Sequence, residues 1–190
     1  MNKVSIGPKT FTLPTPAWLV GTYDAAGKPN LMTAAWGGIC CSKPPCLNVS
    51  LRAATYSHGA IMARRAFTVS VPAESQAAQA DYCGIVSGRD HDKFATLGWT
   101  AVKSGLTDAP YVAECPLVVE CKVTHVVELG LHTMFVGEIL DVKVDAAAVK
   151  DGKPDAALIK PVVYAPEDRR YFGLGQPLGL GFSIGKDFRK

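Results

Sequence analysis

No run of apolar residues in this 190-residue chain is long enough to cross a bilayer as a helix, which needs about 20 of them. The first residues, MNKVSIGPKTFTLPTP, lack the continuous apolar stretch of a secretory signal. We therefore expect a cytoplasmic protein with reduced thiols and no membrane partner. An excess of one charge is missing too. Lys and Arg number 20 against 17 Asp and Glu, a net charge of +3, and the basic residues are scattered. Nucleic-acid binding calls for a concentrated basic face, so no nucleic-acid partner is expected. A small positive bias still suits a cofactor that carries phosphate.

The motifs of most self-sufficient enzymes are also absent. There is no serine hydrolase elbow, no P-loop and no H-E-x-x-H. The six cysteines, Cys40, Cys41, Cys46, Cys83, Cys115 and Cys121, form no C-x-x-C pair and have neither zinc nor iron–sulfur spacing, so no metal is expected. They read as small buried hydrophobes, with a redox thiol beside a cofactor as the alternative. The stretch Gly173 to Gly181, GLGQPLGLG, misses the G-x-G-x-x-G register, contains Pro177 and precedes no long helix, so it is no nucleotide loop. A chain without its own nucleophile or acid–base set relies on a cofactor for chemistry.

With 48% hydrophobic and 19% charged residues, the chain has the composition of a compact globular protein. No linker or repeat divides it, so residues 1–190 read as one domain. Strand signals dominate. Ala17 to Tyr23 is an apolar run, DAAGKP (24–29) is turn chemistry, and Asn30 to Trp36 resumes extended structure, together a hairpin. Cys46 to Arg52 alternates cleanly, with Leu47, Val49 and Leu51 on one face and Asn48, Ser50 and Arg52 on the other. The pattern predicts a helix over 55–65 with Thr55 at its N-cap, a strand over 66–71, a helix over 74–86 and a polar loop over 87–94. Leu117 to Thr124 and Leu131 to Val144 read as long strands, the second with a bulge or bend at Gly137. Pro161 to Ala165 and Tyr171 to Leu174 are shorter candidates. Many strands with few short helices point to a mainly β fold, a small barrel closed on itself.

One junction has the chemistry of an anion site. At Ser50-Leu-Arg-Ala-Ala-Thr55 a strand ends and a helix begins. A helix start presents unpaired N–H groups and partial positive charge, Arg52 adds a planar fork of donors, and Ser50 and Thr55 add hydroxyls. A plain cap with a solvated arginine is the competing reading. In the loop GRDHDKF (88–94), Lys93 can pair with a phosphate or with a ring carbonyl, or simply be solvated.

The order of these segments resembles the flavin reductase domain family. It runs Pro16-Ala-Trp-Leu-Val-Gly-Thr-Tyr23, Gly27-Lys-Pro-Asn-Leu-Met-Thr-Ala-Ala-Trp36, Pro44-Pro-Cys-Leu-Asn-Val-Ser-Leu-Arg52 with Thr55, Phe67 to Val71, Ser87-Gly88, Asp92-Lys-Phe94, and Leu131 to Glu138. The ending Tyr171-Phe-Gly-Leu-Gly175 with Phe182-Ser-Ile-Gly-Lys186 resembles the flavoredoxin branch. The resemblance implies an FMN-binding split barrel, and a homodimer with flavin sites near the subunit interface. It places Asn30, Thr33, Ala34, Ala35 and Trp36 along the isoalloxazine, and Ser50, Leu51, Arg52 and Thr55 at the ribityl phosphate. Lys93 and His132 approach the ring or the phosphate. It leaves three activities open: an electron carrier serving a redox partner protein, an NAD(P)H-dependent reductase supplying reduced flavin, and a non-catalytic ligand-binding split barrel.

Overall fold

The structure is a computed structural model that describes residues 1–189. Seven strands build the main sheet: β1 (Trp18–Tyr23), β2 (Pro29–Ala34), β3 (Gly37–Ser42), β4 (Pro45–Arg52), β5 (Ala66–Val71), β6 (Leu117–Leu129) and β7 (His132–Val144). They pair antiparallel in the order β2-β1-β5-β6-β7-β4-β3. The two edge strands, β2 and β3, are consecutive in the chain with only Ala35 and Trp36 between them. A two-residue link cannot span a flat seven-stranded sheet, so the sheet curls until its edges meet. The Ser50 N–H donates to the Trp36 carbonyl at 2.8 Å and fixes that corner.

The barrel interior follows from the alternation. Leu47, Val49 and Leu51 of β4 meet Val20, Phe67, Val69, Cys121 and Phe135 in one core. Full burial of each large side chain contributes about 1.5–3 kcal/mol. β1 shows no alternation in the sequence because both its faces are buried. Val20 points into the barrel, while Leu19 joins Leu31, Ala80, Cys83 and Phe94 in a second core outside it. That outer core sits beneath α2 (Ala77–Ile85) and α3 (Lys93–Leu97), which cover the β1–β2 end of the sheet. The remaining helix of the barrel, α1 (Tyr56–Arg64), follows β4 directly. Phe67 explains Gly137, since a Cβ at Gly137 would stand 2.7 Å from the Phe67 ring. The β6–β7 register shifts at this glycine, as the sequence predicts.

Several expectations change in detail. The helix over 74–86 is a 3₁₀ turn (Glu74–Gln76) followed by α2. The strand from Leu117 runs on to Leu129, where Gly130 turns the chain into β7 with φ +62°. β3 went unpredicted, because GGICCS has neither alternation nor bulk and four of its six residues are exposed. Thr15–Pro16, Val163–Ala165 and Arg170–Phe172 form a small separate sheet. The expectation that all six cysteines are buried is corrected: Cys46, Cys83, Cys115 and Cys121 are buried, but Cys40 and Cys41 are exposed on the edge strand β3. Among the described residues, no helix is long and apolar enough to cross a membrane.

Candidate functional site

β4 delivers the chain to the start of α1 through a tight turn. The Arg52 carbonyl accepts hydrogen bonds from both the N–H and the hydroxyl of Thr55, each at 2.9 Å. Thr55 occupies the N-cap position with extended backbone (φ −76°, ψ 147°), but its hydroxyl is turned back to Arg52 and does not cap. The first turn of α1 therefore keeps its N–H groups free of any side-chain cap, and no acidic residue sits there to offset the partial positive charge.

Beside this helix start is a cleft of about 250 Å³. Asn30, Thr55, Tyr56, Ser87, Gly88, Arg89 and Lys93 are among its walls. Asn30, nearly buried, donates from Nδ2 to the Ser57 hydroxyl at 3.0 Å. The 87–89 loop approaches so closely that only glycine fits at position 88. A Cβ there would stand 2.1 Å from Asn30 Oδ1 and 2.7 Å from the Tyr56 ring. Arg89 sits with its guanidinium 5.8 Å from the centre of the Tyr56 ring, and its main-chain N–H donates to Ser87 Oγ at 3.2 Å. The Tyr56 hydroxyl donates to Asp24 Oδ2 at 2.8 Å. Asp24 is held below the usual carboxylate range, first by the Lys28 N–H and then by Tyr56, so it remains an acceptor and keeps the tyrosine protonated.

Lys93 is in this cleft, and its ammonium already has partners within the protein. Its ammonium is buried and donates to the Leu31 carbonyl at 2.6 Å and the Cys83 carbonyl at 2.8 Å. It ties a carbonyl of the edge strand β2 to the last turn of α2, where a cation also complements the helix dipole. Burial holds its pKa below the ordinary lysine value. One N–H of the three is left for a ligand.

A second cleft of about 210 Å³ shares the wall residues Gly84 and Ile85 with the first, so the two adjoin and together form the candidate groove. Its walls include Pro16, Thr33, Ala35, Asp81, Tyr164 and Tyr171. The tyrosine rings are 5.1 Å apart, and the Tyr171 hydroxyl donates to Asp81 Oδ1 at 3.0 Å. Desolvation and then Asp81 push the Tyr171 pKa up. The Thr33 hydroxyl donates to the Ala80 carbonyl.

The groove thus collects Asn30, Thr33, Ala35, Thr55 and Lys93 from the sequence-predicted set. Ala34 and Leu51 point into the barrel core and can reach a ligand only through main chain. Ser50 and Trp36 form the corner above, joined by their backbone bond. Arg52 and His132 face each other across β4 and β7, and neither borders the two lobes. The arginine on the groove is Arg89. It stands in the polar loop singled out by the sequence, but its approach to the helix start depends on a fold between residues 35 positions apart. Tyr164 and Tyr171 went unassigned, because only the small sheet outside the barrel brings them together.

Residues 10–174 match the family described as "Flavin reductase like domain". The whole fold matches flavoredoxin of Desulfovibrio vulgaris (Miyazaki F) with a TM-score of 0.93 and 50% identity, over 97% of this chain and 100% of that one. It matches flavoredoxin from Methanosarcina acetivorans with a TM-score of 0.92 and 30% identity, over 99% and 100%. Among sequence relatives, an NADH:riboflavin 5'-phosphate oxidoreductase of Streptomyces pristinaespiralis is 30% identical over 73% of this chain and 79% of its own. The chain belongs to the flavin reductase like family, and it is similar to flavoredoxins over almost its entire length.

Proposed function

We propose that this chain holds FMN non-covalently and carries electrons through it. The observation that supports this most is the pair of adjoining clefts: a polar one at a helix start with Arg89, beside one walled by Pro16, Tyr164 and Tyr171. A ribityl phosphate suits the first and a flat tricyclic ring suits the second. In this reading the α1 N–H groups and Arg89 hold the phosphate, Gly88 lets the loop close on it, and the Thr33–Ala35 segment flanks the ring. The bound isoalloxazine would supply the hydride and electron chemistry. The protein adds no covalent partner: the Cys83 thiol at the cleft wall is pushed up to about 11 by burial and stays protonated. The Streptomyces relative is named for riboflavin 5'-phosphate, which is FMN, and the likeness to flavoredoxins supports the carrier reading.

Purified protein tests this directly. Denaturation and chromatography should release stoichiometric FMN; stoichiometric FAD would overturn the cofactor assignment, and no chromophore would leave a ligand-binding barrel without redox function. Rapid mixing with NADH and NADPH separates the second reading, an NAD(P)H-dependent flavin reductase. Slow reduction of the bound FMN fits a carrier that serves a redox partner protein. Fast reduction with turnover of added free flavin would establish the reductase.

A homodimer belongs to the same proposal. Leu178, Leu180, Phe182 and Ile184 of the C-terminal arm are exposed, as are Val4, Ile6 and Leu13 of the N-terminal segment. Exposed apolar residues close together along a segment suit an interface, and two-fold dimers are the commonest oligomers. Light scattering at micromolar concentration should give twice the monomer mass.

A further inference from the structure

The β3–β4 hairpin sets Cys41 directly opposite Cys46 in its antiparallel register, with Cys40 as the extra residue of the irregularity between Ile39 and Cys41. Opposed residues on antiparallel strands have Cα atoms about 4.5–5.5 Å apart and side chains on the same face. A disulfide spans Cα separations of about 4.4–6.8 Å, so the register sets the two residues within the span of a disulfide. Their exposures are complementary. Cys41 is open to solvent on the edge strand, whereas Cys46 is only 6% exposed. Burial first, then the neighbouring Cys41 and Cys40, push the Cys46 thiol up, so Cys46 is a poor first nucleophile. Cys83, Cys115 and Cys121 are buried, and desolvation raises each of them.

We propose that Cys41 and Cys46 form a reversible thiol–disulfide modification site, with Cys41 the entry thiol and Cys46 the resolving one. The co-reactant is a low-molecular-weight disulfide. The Cys41 thiolate attacks one of its sulfurs, the small S–S bond breaks, and the departing thiolate takes up a proton. The Cys46 sulfur, losing its proton, then attacks the Cys41 sulfur and releases the second small thiol. Two protein thiols are oxidised by two electrons and one small disulfide is reduced to two thiols. The bond closes a short loop and its Cys41 end is exposed, so it adds little stability and is readily reduced. The site is apart from the groove, whose walls include neither Cys41 nor Cys46.

The full chain, carrying its bound flavin, is incubated with oxidised glutathione and then examined by intact mass and non-reducing peptide mapping. The expected product has lost two hydrogens, carries a Cys41–Cys46 cross-link within one chain, and reverts with reductant. Cys40→Ser behaves like the parent, Cys41→Ser gives no cross-link, and Cys46→Ala stops at a glutathione adduct on Cys41. Retained flavin absorbance verifies that each variant is folded. A lasting glutathione adduct on Cys41 in the parent, a cross-link through Cys40, a link between two chains, or no reaction would overturn the proposal.

Discussion

Single residues decide how closely the 87–89 loop packs over the polar cleft. Gly88 has no room for even one methyl group between Asn30 Oδ1 and the Tyr56 ring. Gly88→Ala must push the loop outward and carry Arg89 with it, at a cost of about 1–3 kcal/mol for overpacking. Titration of apoprotein should show FMN affinity falling at least about tenfold in this variant, while far-ultraviolet circular dichroism stays that of the parent. The two arginines separate under the same assay. Arg89 borders the polar lobe and Arg52 does not. Loss of a charge-assisted contact is worth about 1.5–3 kcal/mol, so Arg89→Ala should weaken FMN about tenfold to hundredfold. Arg52→Ala should have the smaller effect, with no loss of core packing, since Arg52 is exposed. If Arg52→Ala were the more damaging, the phosphate would sit on the outer side of the β4–α1 turn.

At the level of elements, one buried ammonium adds a polar tie to the apolar core that holds the helices α2 and α3 on the sheet. Lys93→Met keeps the length of the side chain but leaves the Leu31 and Cys83 carbonyls without their donor. An unsatisfied buried group costs about 1–3 kcal/mol, so the urea midpoint should fall, and FMN affinity should fall with it because the cleft wall loosens. Unchanged stability with weakened FMN would show instead that Lys93 serves the ligand alone. The C-terminal arm is a different kind of element. Its large apolar side chains at Leu178, Leu180 and Phe182 are left open, and Phe182 is fully exposed. Truncation after Leu174 removes those groups without touching the barrel core or the outer core. The expected result is a folded protein shifted toward monomer in light scattering; an unchanged dimer would move the interface elsewhere.

At the scale of the whole molecule, the proposed flavin groove and the proposed thiol hairpin lie in separate places. Replacing Cys40 and Cys41 by serine and Cys46 by alanine should therefore leave photoreduction and air reoxidation of bound FMN intact, while abolishing the intramolecular disulfide. Loss of flavin cycling in a folded, FMN-loaded variant would show electrons passing through the thiols. The barrel also accounts for how the groove is assembled. Closing the sheet at Ala35–Trp36 brings β2 beside the β4–α1 turn, so Asn30 and Met32 line one cleft with residues 55–57 although 20 or more positions separate them.

Local sequence was enough for the elements whose own pattern or punctuation specifies them. The alternation of Leu47, Val49 and Leu51 dictates a strand with one buried face, and Gly137 in an apolar run marks a bend. The order of those segments, read as a resemblance, was enough for the family. What depends on closure was not written in any window. β3 is a strand only because an edge must be completed, so its GGICCS carries little signal of its own. Lys93 reads as a free loop cation until α2 and β2 converge to bury it, and the cysteines look alike until the sheet leaves Cys40 and Cys41 on an open edge. Arg89, rather than Arg52, came to border the groove for the same reason. A residue's type sets what it can bond, but its distance to a partner is set by long-range strand pairing, which no local pattern encodes.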